Sequence, residues 1–391
     1  MVFSVLLSYY LYILKALRKD KEEEKQKKVK YAPQVTVVVP TYNDETTIFN
    51  KLLNLLEQTY PRNLMEILIV DSASRDGTVD EVKKFISTYF DMAKIGLIVE
   101  PERRGKSAAI NRALSAVDRQ SEIVVITDAN AFLQKDALEK LISRFHSPEV
   151  GAVLGRQIIQ PIRHNKSLAS EMIYLKFYQE IRRGESIIDS TPIFDGELSA
   201  YRMNIIKNKK IREDLNADDS QLAMIVRREG YKAVMEPYAF FYEPLPVDKS
   251  SLGMQKVRRG QGLCRLFWYN KDMLFRSRYG KFGTIIFPAN FFMHVMSPFL
   301  VITVIMLTLA AATFWIIESW NLIHLIFFLF SVTSAFLLLN YVLKLKFKTK
   351  IPVLKIFFTF IRYQFFLLKG IFLFLRGVSL HKWEKVKKSL E

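Results

Sequence analysis

Cysteine is all but missing from this chain. Its 391 residues include one, Cys264, which excludes an intramolecular disulfide and any cysteine-cluster metal site and argues against redox or zinc chemistry. Histidine is scarce as well. His146, His164, His294, His324 and His381 are scattered without metal-ligand spacing, so none is assigned a catalytic role. Acidic residues thin out toward the C-terminus: from Lys249 onward, 21 Lys and Arg stand against 4 Asp and Glu, which accounts for nearly all of the net charge of +18. That charge is threaded through long apolar runs instead of forming a soluble basic face. The arrangement excludes nucleic-acid binding and points to anionic lipid headgroups, with the flanking loops kept in the cytoplasm. A small-residue cleavage site is also lacking after the apolar opening "MVFSVLLSYYLYILKAL" (1–17). The charged "RKDKEEEKQKKVK" follows instead, so the opening reads as a retained anchor, with a peripheral helix as the alternative.

Half of the residues are hydrophobic, and the length suggests about two domains. "VTVVVP" (35–40), "EILIVD" (66–71), "KIGLIVE" (94–100) and "EIVVITD" (122–128) are short β-branched runs separated by helical segments. That alternation predicts an α/β fold with a doubly wound, mainly parallel sheet. The reading divides the chain into an anchor (1–17), a charged linker (18–33), the α/β domain (34–248), interfacial amphipathic helices (249–296), membrane helices (297–377) and a basic tail (378–391). Spans are expected at about Ser297 to Ile317 and Leu322 to Leu343, with Trp315 and Trp320 flanking the turn between them. Over 352–376, Lys355, Arg362, Lys369 and Arg376 recur every seven residues. This stretch either spans the bilayer or lies on it with a basic stripe at the headgroups.

Polar residues gather where the strand runs end, which is where open α/β sheets hold their ligands. Asp71 closes the second strand, beside the "PTYNDE" that ends the first, and the pair suits a nucleotide. Asp76 and Gly77 read as turn residues. Gly105 and Lys106 precede a helix and can bring amides and an ammonium to a phosphate, but the preceding glycines of a P-loop are absent. In "IVVITDANAF" (123–132), Asp128 and Asn130 offer a carboxylate and an amide oxygen to a hard cation such as Mg²⁺ or Mn²⁺, with diphosphate oxygens completing its shell. Asp218 and Asp219 read on their own as a helix N-cap with acidic residues in the first turn.

The ordered set "VVVPTYND", "ILIVDSASRDGT", "RRGKSAAIN", "ITDAN", "FDGELSAYR", "ADD", "RREGYKAV" and "QKVRRG", spread over about 34 to 275, resembles the family 2 inverting glycosyltransferases. The likeness is to their membrane-bound branch, which includes the cellulose, chitin and hyaluronan synthases and exopolysaccharide transferases. The resemblance implies a GT-A fold, a doubly wound mixed sheet, followed by α-helical transmembrane segments. It implies that Thr41, Tyr42, Asp44 and Asp71 surround the nucleoside, usually uridine, with Lys106 near the nucleotide. Asp128 then binds metal and diphosphate, while Asn130 replaces the usual second aspartate. Asp195, Gly196 and Glu197 fall at the acceptor end. Of the acidic pair Asp218 and Asp219, the second matches the general base. Gln255, Arg258 and Arg259 stand at a Gln-x-x-Arg-Trp motif and carry over to the diphosphate. Arg259 replaces the tryptophan that stacks on the acceptor sugar, which argues against long-chain processivity.

The expected protein is thus a multi-pass membrane transferase whose catalytic domain faces the cytoplasm. It takes a UDP-sugar with Mg²⁺ or Mn²⁺ and acts on a glycan or lipid-linked acceptor in polysaccharide synthesis. Two or three spans are few for a polymer channel, which implies a homo-oligomer or a separate export partner. The alternatives are single-sugar transfer to a polyprenyl phosphate and an inactive membrane scaffold in an envelope assembly.

Overall fold

The computed structural model describes residues 2–23, 31–158, 166–243, 249–319 and 353–380, and between 320 and 352 only positions 326, 330, 333 and 334. Most of the span expected at 322–343, the basic loop 344–350 and residues 381–391 lie outside the described residues.

The β-branched runs do form strands. Val35–Thr41 (β1), Met65–Asp71 (β2), Lys94–Val99 (β3) and Ile123–Ile126 (β4) make a parallel ladder in the order β3-β2-β1-β4. Phe132–Leu133 (β5), Val150–Ile158 (β6), Ser199–Arg202 (β7) and Lys232–Tyr242 (β8) extend it to eight strands, ordered β3-β2-β1-β4-β7-β6-β8-β5. β7 runs antiparallel to both β4 and β6, whereas β6 and β8 are parallel, so the sheet is mixed.

Helices cover both faces, which is why the first strands are apolar without alternation. Val37, Val39, Ile67 and Ile69 pack beneath Glu45–Leu56 (α2), Thr78–Tyr89 (α3) and Ala137–Ser143 (α5), through Ile48, Leu52, Phe85 and Leu138. Val38, Leu68 and Val70 point to the other face. There they meet Ile110 and Leu114 of Lys106–Ala116 (α4), Ile205 and Ile206 of Met203–Ile206 (α7), and Leu222 of Asp218–Arg228 (α8). The crevice between the carboxyl ends of β1 and β4 is left open above these two cores.

The N-terminal helix, Val2–Glu23 (α1), runs past the expected anchor into the charged segment. Its Tyr9, Tyr10 and Ile13 are buried with Ile181 of Lys166–Ile188 (α6) and with Met293. Tyr9 Oη donates to Glu185 Oε1 at 2.6 Å, as does Asn290 Nδ2, and Thr191 Oγ1 donates to Oε2 at 2.7 Å. This buried polar hub joins α1 to the α/β domain, so the helix is docked on that domain along Tyr9, Tyr10 and Ile13. Burial pushes the Glu185 carboxyl up to about 6.

After Lys249–Tyr269 (α9), Phe287–Phe291 (α10) and Ser297–Ser319 (α11) are joined through π turns at Phe282–Ile286 and Phe292–Met296. The run Phe282–Ala311 is the one helix among the described residues long and apolar enough to cross a bilayer. It begins earlier than the expected Ser297, because the π turns carry the helix without a break out of the stretch expected as interfacial amphipathic helices. Ile302, Val304, Ile305, Leu307 and Leu309 are exposed along it.

The last described helix, Val353–Leu375 (α12), packs along α9. Leu367, Gly370 and Ile371 are buried against the domain, while Arg362 and Lys369 face outward. Gly370 makes this approach possible: a Cβ there would lie 2.8 Å from the Gln261 amide nitrogen and 2.9 Å from the Val257 oxygen. Gly370→Leu is therefore expected to lift α12 from α9 and destabilise the protein by about 1–3 kcal/mol, the usual result of overpacking a close contact. Limited trypsin digestion in detergent should cut faster at Lys369 and Arg376 in this variant. Gly253→Ala, which would meet nothing closer than 3.9 Å, should digest like the wild type.

Candidate active site

β1 and β2 end in register, Thr41 opposite Asp71, and their first polar side chains interlock. Thr41 Oγ1 donates to Asp71 Oδ1 at 3.2 Å, and Asp71 also accepts from the Ser74 amide (2.9 Å) and the Ser74 hydroxyl (2.5 Å). Asp44 accepts from the Tyr42 amide at 3.1 Å and donates its own amide to Thr78 Oγ1 at 2.7 Å. Asp76 behaves as a turn residue, accepting from the amides of Thr78 and Glu45. The result is a preset polar rim along the strand ends.

A cleft opens on this rim, lined by Thr41, Tyr42, Asp44, Ser72, Lys106 and Asp128 among others. Arg103 closes one side, its guanidinium stacked 4.0 Å from the centre of the Tyr42 ring. Gly105 turns the chain into α4 with φ at 102°, a conformation that glycine adopts without a Cβ penalty.

Lys106, the first residue of α4, points into a ring of carboxylates. Its Nζ lies 2.6 Å from Asp128 Oδ1 and 3.5 Å from Asp218 Oδ2, and it donates to the Gly196 carbonyl at 3.4 Å. Burial works against this ammonium, but the charges of Asp128, Asp218 and Asp219 hold it well above the usual lysine range. Gly196 forms the floor: a Cβ on it would fall 2.6 Å from Lys106 Nζ and 3.8 Å from Asp219 Oδ2. This places the lysine and the acid side by side over one backbone position.

Asp218 and Asp219 occupy the first turn of α8, after an Ala217 cap that has no side-chain bond. Neither serves as the N-cap. Both are buried, and Asp218 Oδ2 has no hydrogen-bond partner. Burial first, and then the charge of Asp218, push Asp219 up to about 8 against the opposing pull of Lys106.

Asp195 accepts a hydrogen bond from Arg182 Nη1 of α6, and Arg259 Nη2 of α9 stands 3.5 Å from Asp195 and 3.8 Å from Glu197. Burial and the neighbouring Glu243 and Asp195 charges raise the Glu197 carboxyl well above its ordinary range. Arg258 is half-buried, with the Asp218 and Asp128 charges acting on its guanidinium. Gln255 is exposed one turn earlier and is not joined to the cluster.

Asp128 to Ala131 form a turn closed by the Ala131 amide on the Asp128 carbonyl at 3.1 Å. Within it, the buried Asn130 Oδ1 has no hydrogen-bond partner. An orphaned amide oxygen beside a carboxylate fits a hard divalent cation, with the remaining ligands left to a diphosphate.

Of the fifteen residues singled out from the sequence, Thr41, Tyr42, Asp44, Lys106 and Asp128 line the cleft; Asp218, Asp219 and Gly196 meet it through Lys106, and Asp195, Glu197 and Arg259 form a neighbouring charged cluster, whereas Gln255 joins neither. Arg103, Arg182 and Lys51 were missed. Lys51 lies under the Asp128 turn, and burial pushes its ammonium down to about 7 against the attraction of Asp128. Its sequence signal is a lysine within the buried face of α2, between Ile48 and Leu52.

Comparison with known proteins bears on the family and the fold. The profile described as glycosyl transferase family 2 matches residues 36–208, and that described as glycosyl transferase family group 2 matches 123–361. Poly-beta-1,6-N-acetyl-D-glucosamine synthase of Staphylococcus aureus is 24% identical over 266 residues, 67% of this chain and 62% of that protein. A probable glycosyltransferase of Bacillus subtilis is 27% identical over 60% of this chain and 56% of its own length. The chain therefore spans about three-fifths of the curated relatives it matches. Among solved structures, a mannosyltransferase from Pyrobaculum calidifontis in complex with GDP-Man and Mn²⁺ superposes with a TM-score of 0.72 at 30% identity, covering 96% of both chains. The mixed sheet with its strand-end cleft is a GT-A-like fold, and the chain belongs to the family 2 glycosyltransferases.

Proposed function

We propose that this protein is an inverting glycosyltransferase that takes a sugar from a nucleoside-diphosphate sugar and passes it to a hydroxyl of a glycan or lipid-linked acceptor at a membrane. The observation that carries the reading is the meeting of Asp219, Lys106 and Asp128 over Gly196. It puts a base, a cation and a metal-competent carboxylate around one reaction point.

Asp219 accepts the acceptor hydroxyl's proton as that oxygen attacks the anomeric carbon. The bond from that carbon to the diphosphate breaks, and its electron pair leaves with the nucleotide, so one displacement inverts the centre and needs no covalent nucleophile. Asp128 and Asn130 would hold a divalent cation, which when bound would neutralise charge on the departing diphosphate. Lys106 and Arg258 add fixed positive charge beside it. Thr41, Tyr42, Asp44 and Asp71 seat the nucleoside, with Arg103 stacked over Tyr42. Asp195, Gly196 and Glu197, braced by Arg182 and Arg259, form the acceptor wall.

The motif resemblance favours uridine in the donor, and the mannosyltransferase that matches 96% of this chain is in complex with GDP-Man. UDP and GDP with Mn²⁺ are therefore to be compared directly by thermal stabilisation. Placement at the membrane rests on the basic C-terminal region and the uncovered apolar face of α11. On α12, Phe365, Phe372 and Leu375 are exposed beside Arg362, Lys369 and Arg376, which suits a helix lying at the headgroups.

Inversion has its own test. From a donor whose sugar is α-linked, proton NMR of the first product should show a β-linkage. An α-linked product would refute the single displacement. A product that lengthens with time supports polysaccharide synthesis, whereas one lipid-extractable sugar would establish transfer to a polyprenyl phosphate.

A further inference from the structure

Lys51 is fully buried on the core face of α2. An amine placed among Ile48, Leu52 and Leu55 must find hydrogen-bond acceptors to offset its lost hydration. It finds two. Nζ donates to Thr127 Oγ1 at 2.8 Å and to the carbonyl of Ala131. These acceptors flank residues 128 to 130 on either side, so one side chain grips both ends of the turn that carries Asp128 and Asn130.

The grip extends further. Thr127, itself buried, donates its hydroxyl to the Glu197 carbonyl at 2.7 Å. Lys51 and Thr127 therefore tie the Asp128 turn to the loop that holds Asp195, Gly196 and Glu197. The chain beyond the turn has separate support: Asn54, on the same face of α2, accepts from the Leu133 amide at 2.7 Å and donates to the Leu133 carbonyl at 2.9 Å. Anchoring of β5 thus has its own side chain, which leaves the turn as what Lys51 holds.

We propose that Lys51 is a positioning residue that presets the Asp128–Asn130 turn for a divalent cation and its diphosphate, and fixes that turn relative to the acceptor loop. The inference rests on the reading of Asp128 and Asn130 as metal ligands. Groups that orient metal ligands without touching the ion typically change metal affinity by about 10- to 100-fold when removed.

The test is Mn²⁺ binding to the full chain in detergent, followed by electron paramagnetic resonance with the nucleoside diphosphate present. Lys51→Met, which keeps the length and removes the donors, should weaken Mn²⁺ binding by about 10- to 100-fold. Thr127→Val, which leaves Lys51 in place and removes its acceptor, should shift it in the same direction and keeps the proposal testable should Lys51→Met not fold. Asn54→Ala removes two comparable hydrogen bonds at the neighbouring strand. It should lower the melting temperature and leave Mn²⁺ affinity unchanged. Wild-type affinity in Lys51→Met or Thr127→Val, with only a lower melting temperature, would reduce Lys51 to a structural role and overturn the proposal. Failure of the wild type to bind Mn²⁺ with either UDP or GDP would instead overturn the metal reading, and the proposal with it.

Discussion

Asp219→Asn is expected to lower kcat by about 10²- to 10⁴-fold, the usual contribution of a positioned general base, while nucleotide binding stays near the wild-type level. The amide keeps the shape of the carboxylate and cannot accept the acceptor's proton. Its pH dependence carries a sign of its own. Burial and Asp218 push the Asp219 carboxyl up to about 8, and the base must be deprotonated to work. kcat/KM, which reports the free enzyme, should therefore rise with pH to a plateau above about 8. The residual rate of Asp219→Asn should lack that limb.

The same carboxyl has the opposite effect on stability. Between its ordinary 3.8 and the raised value of about 8, the folded state binds more protons than the unfolded one, so stability falls as pH rises through that window. Asp219→Asn removes this term. Its melting temperature should match the wild type in acid and exceed it at pH 9, which separates loss of the base from loss of the fold.

Asp128→Asn is the second large effect. Asp128 is the one carboxylate in the 128–131 turn, and Asn130 brings no charge, so the variant leaves the turn without a formal negative charge. Removing the charged ligand should cost several kcal/mol of leaving-group stabilisation, or about 10³-fold in turnover. The loss should be partly recovered at high Mn²⁺, a recovery that the Asp219 variant should not share. The Asp128 change also strips Lys106 of its 2.6 Å partner. Lys106→Met in the Asp128→Asn background should then add less than it does alone, because the two side chains form one interacting unit.

How far the sequence reached can be judged residue by residue. β1, β2 and β4 were legible because strands buried on both faces are continuous β-branched runs, and Val35–Thr41 reads that way without any tertiary information; β3, the more exposed edge strand, was legible from the run "KIGLIVE" alone. The antiparallel insertion of β7 between β4 and β6 was not legible. It is a pairing between segments some 75 residues apart on the β4 side, and nothing in "ELSAYR" specifies its partner. Asp71 and Asp128 could be picked out because they sit at strand ends, where local pattern and ligand chemistry coincide, whereas Asp219 stood out only through the motif resemblance, its local pattern being that of a helix start. Arg182 and Arg259 could not be paired with Asp195 in advance, since that cluster forms only when α6 and α9 fold onto the sheet. Thr127 was conspicuous at the end of "IVVIT", but its meaning lay in Lys51, 76 residues away. α12 shows the same limit. Its heptad of basic residues left spanning the bilayer and lying on it equally open, and its packing along α9 was not legible at all, because it depends on Gly370, whose missing side chain matters only against the backbone of α9.

The most direct test of the central claim is metal-dependent release of nucleoside diphosphate by the purified chain in detergent, with a panel of UDP- and GDP-sugars, Mn²⁺ or Mg²⁺, and membrane lipid and acceptor extracts, run beside Asp219→Asn. The account predicts turnover of one donor, abolished by chelation and lost in the variant. No turnover of any donor, with wild type and variant binding nucleotide equally weakly, would contradict it and leave an inactive scaffold built on a transferase fold.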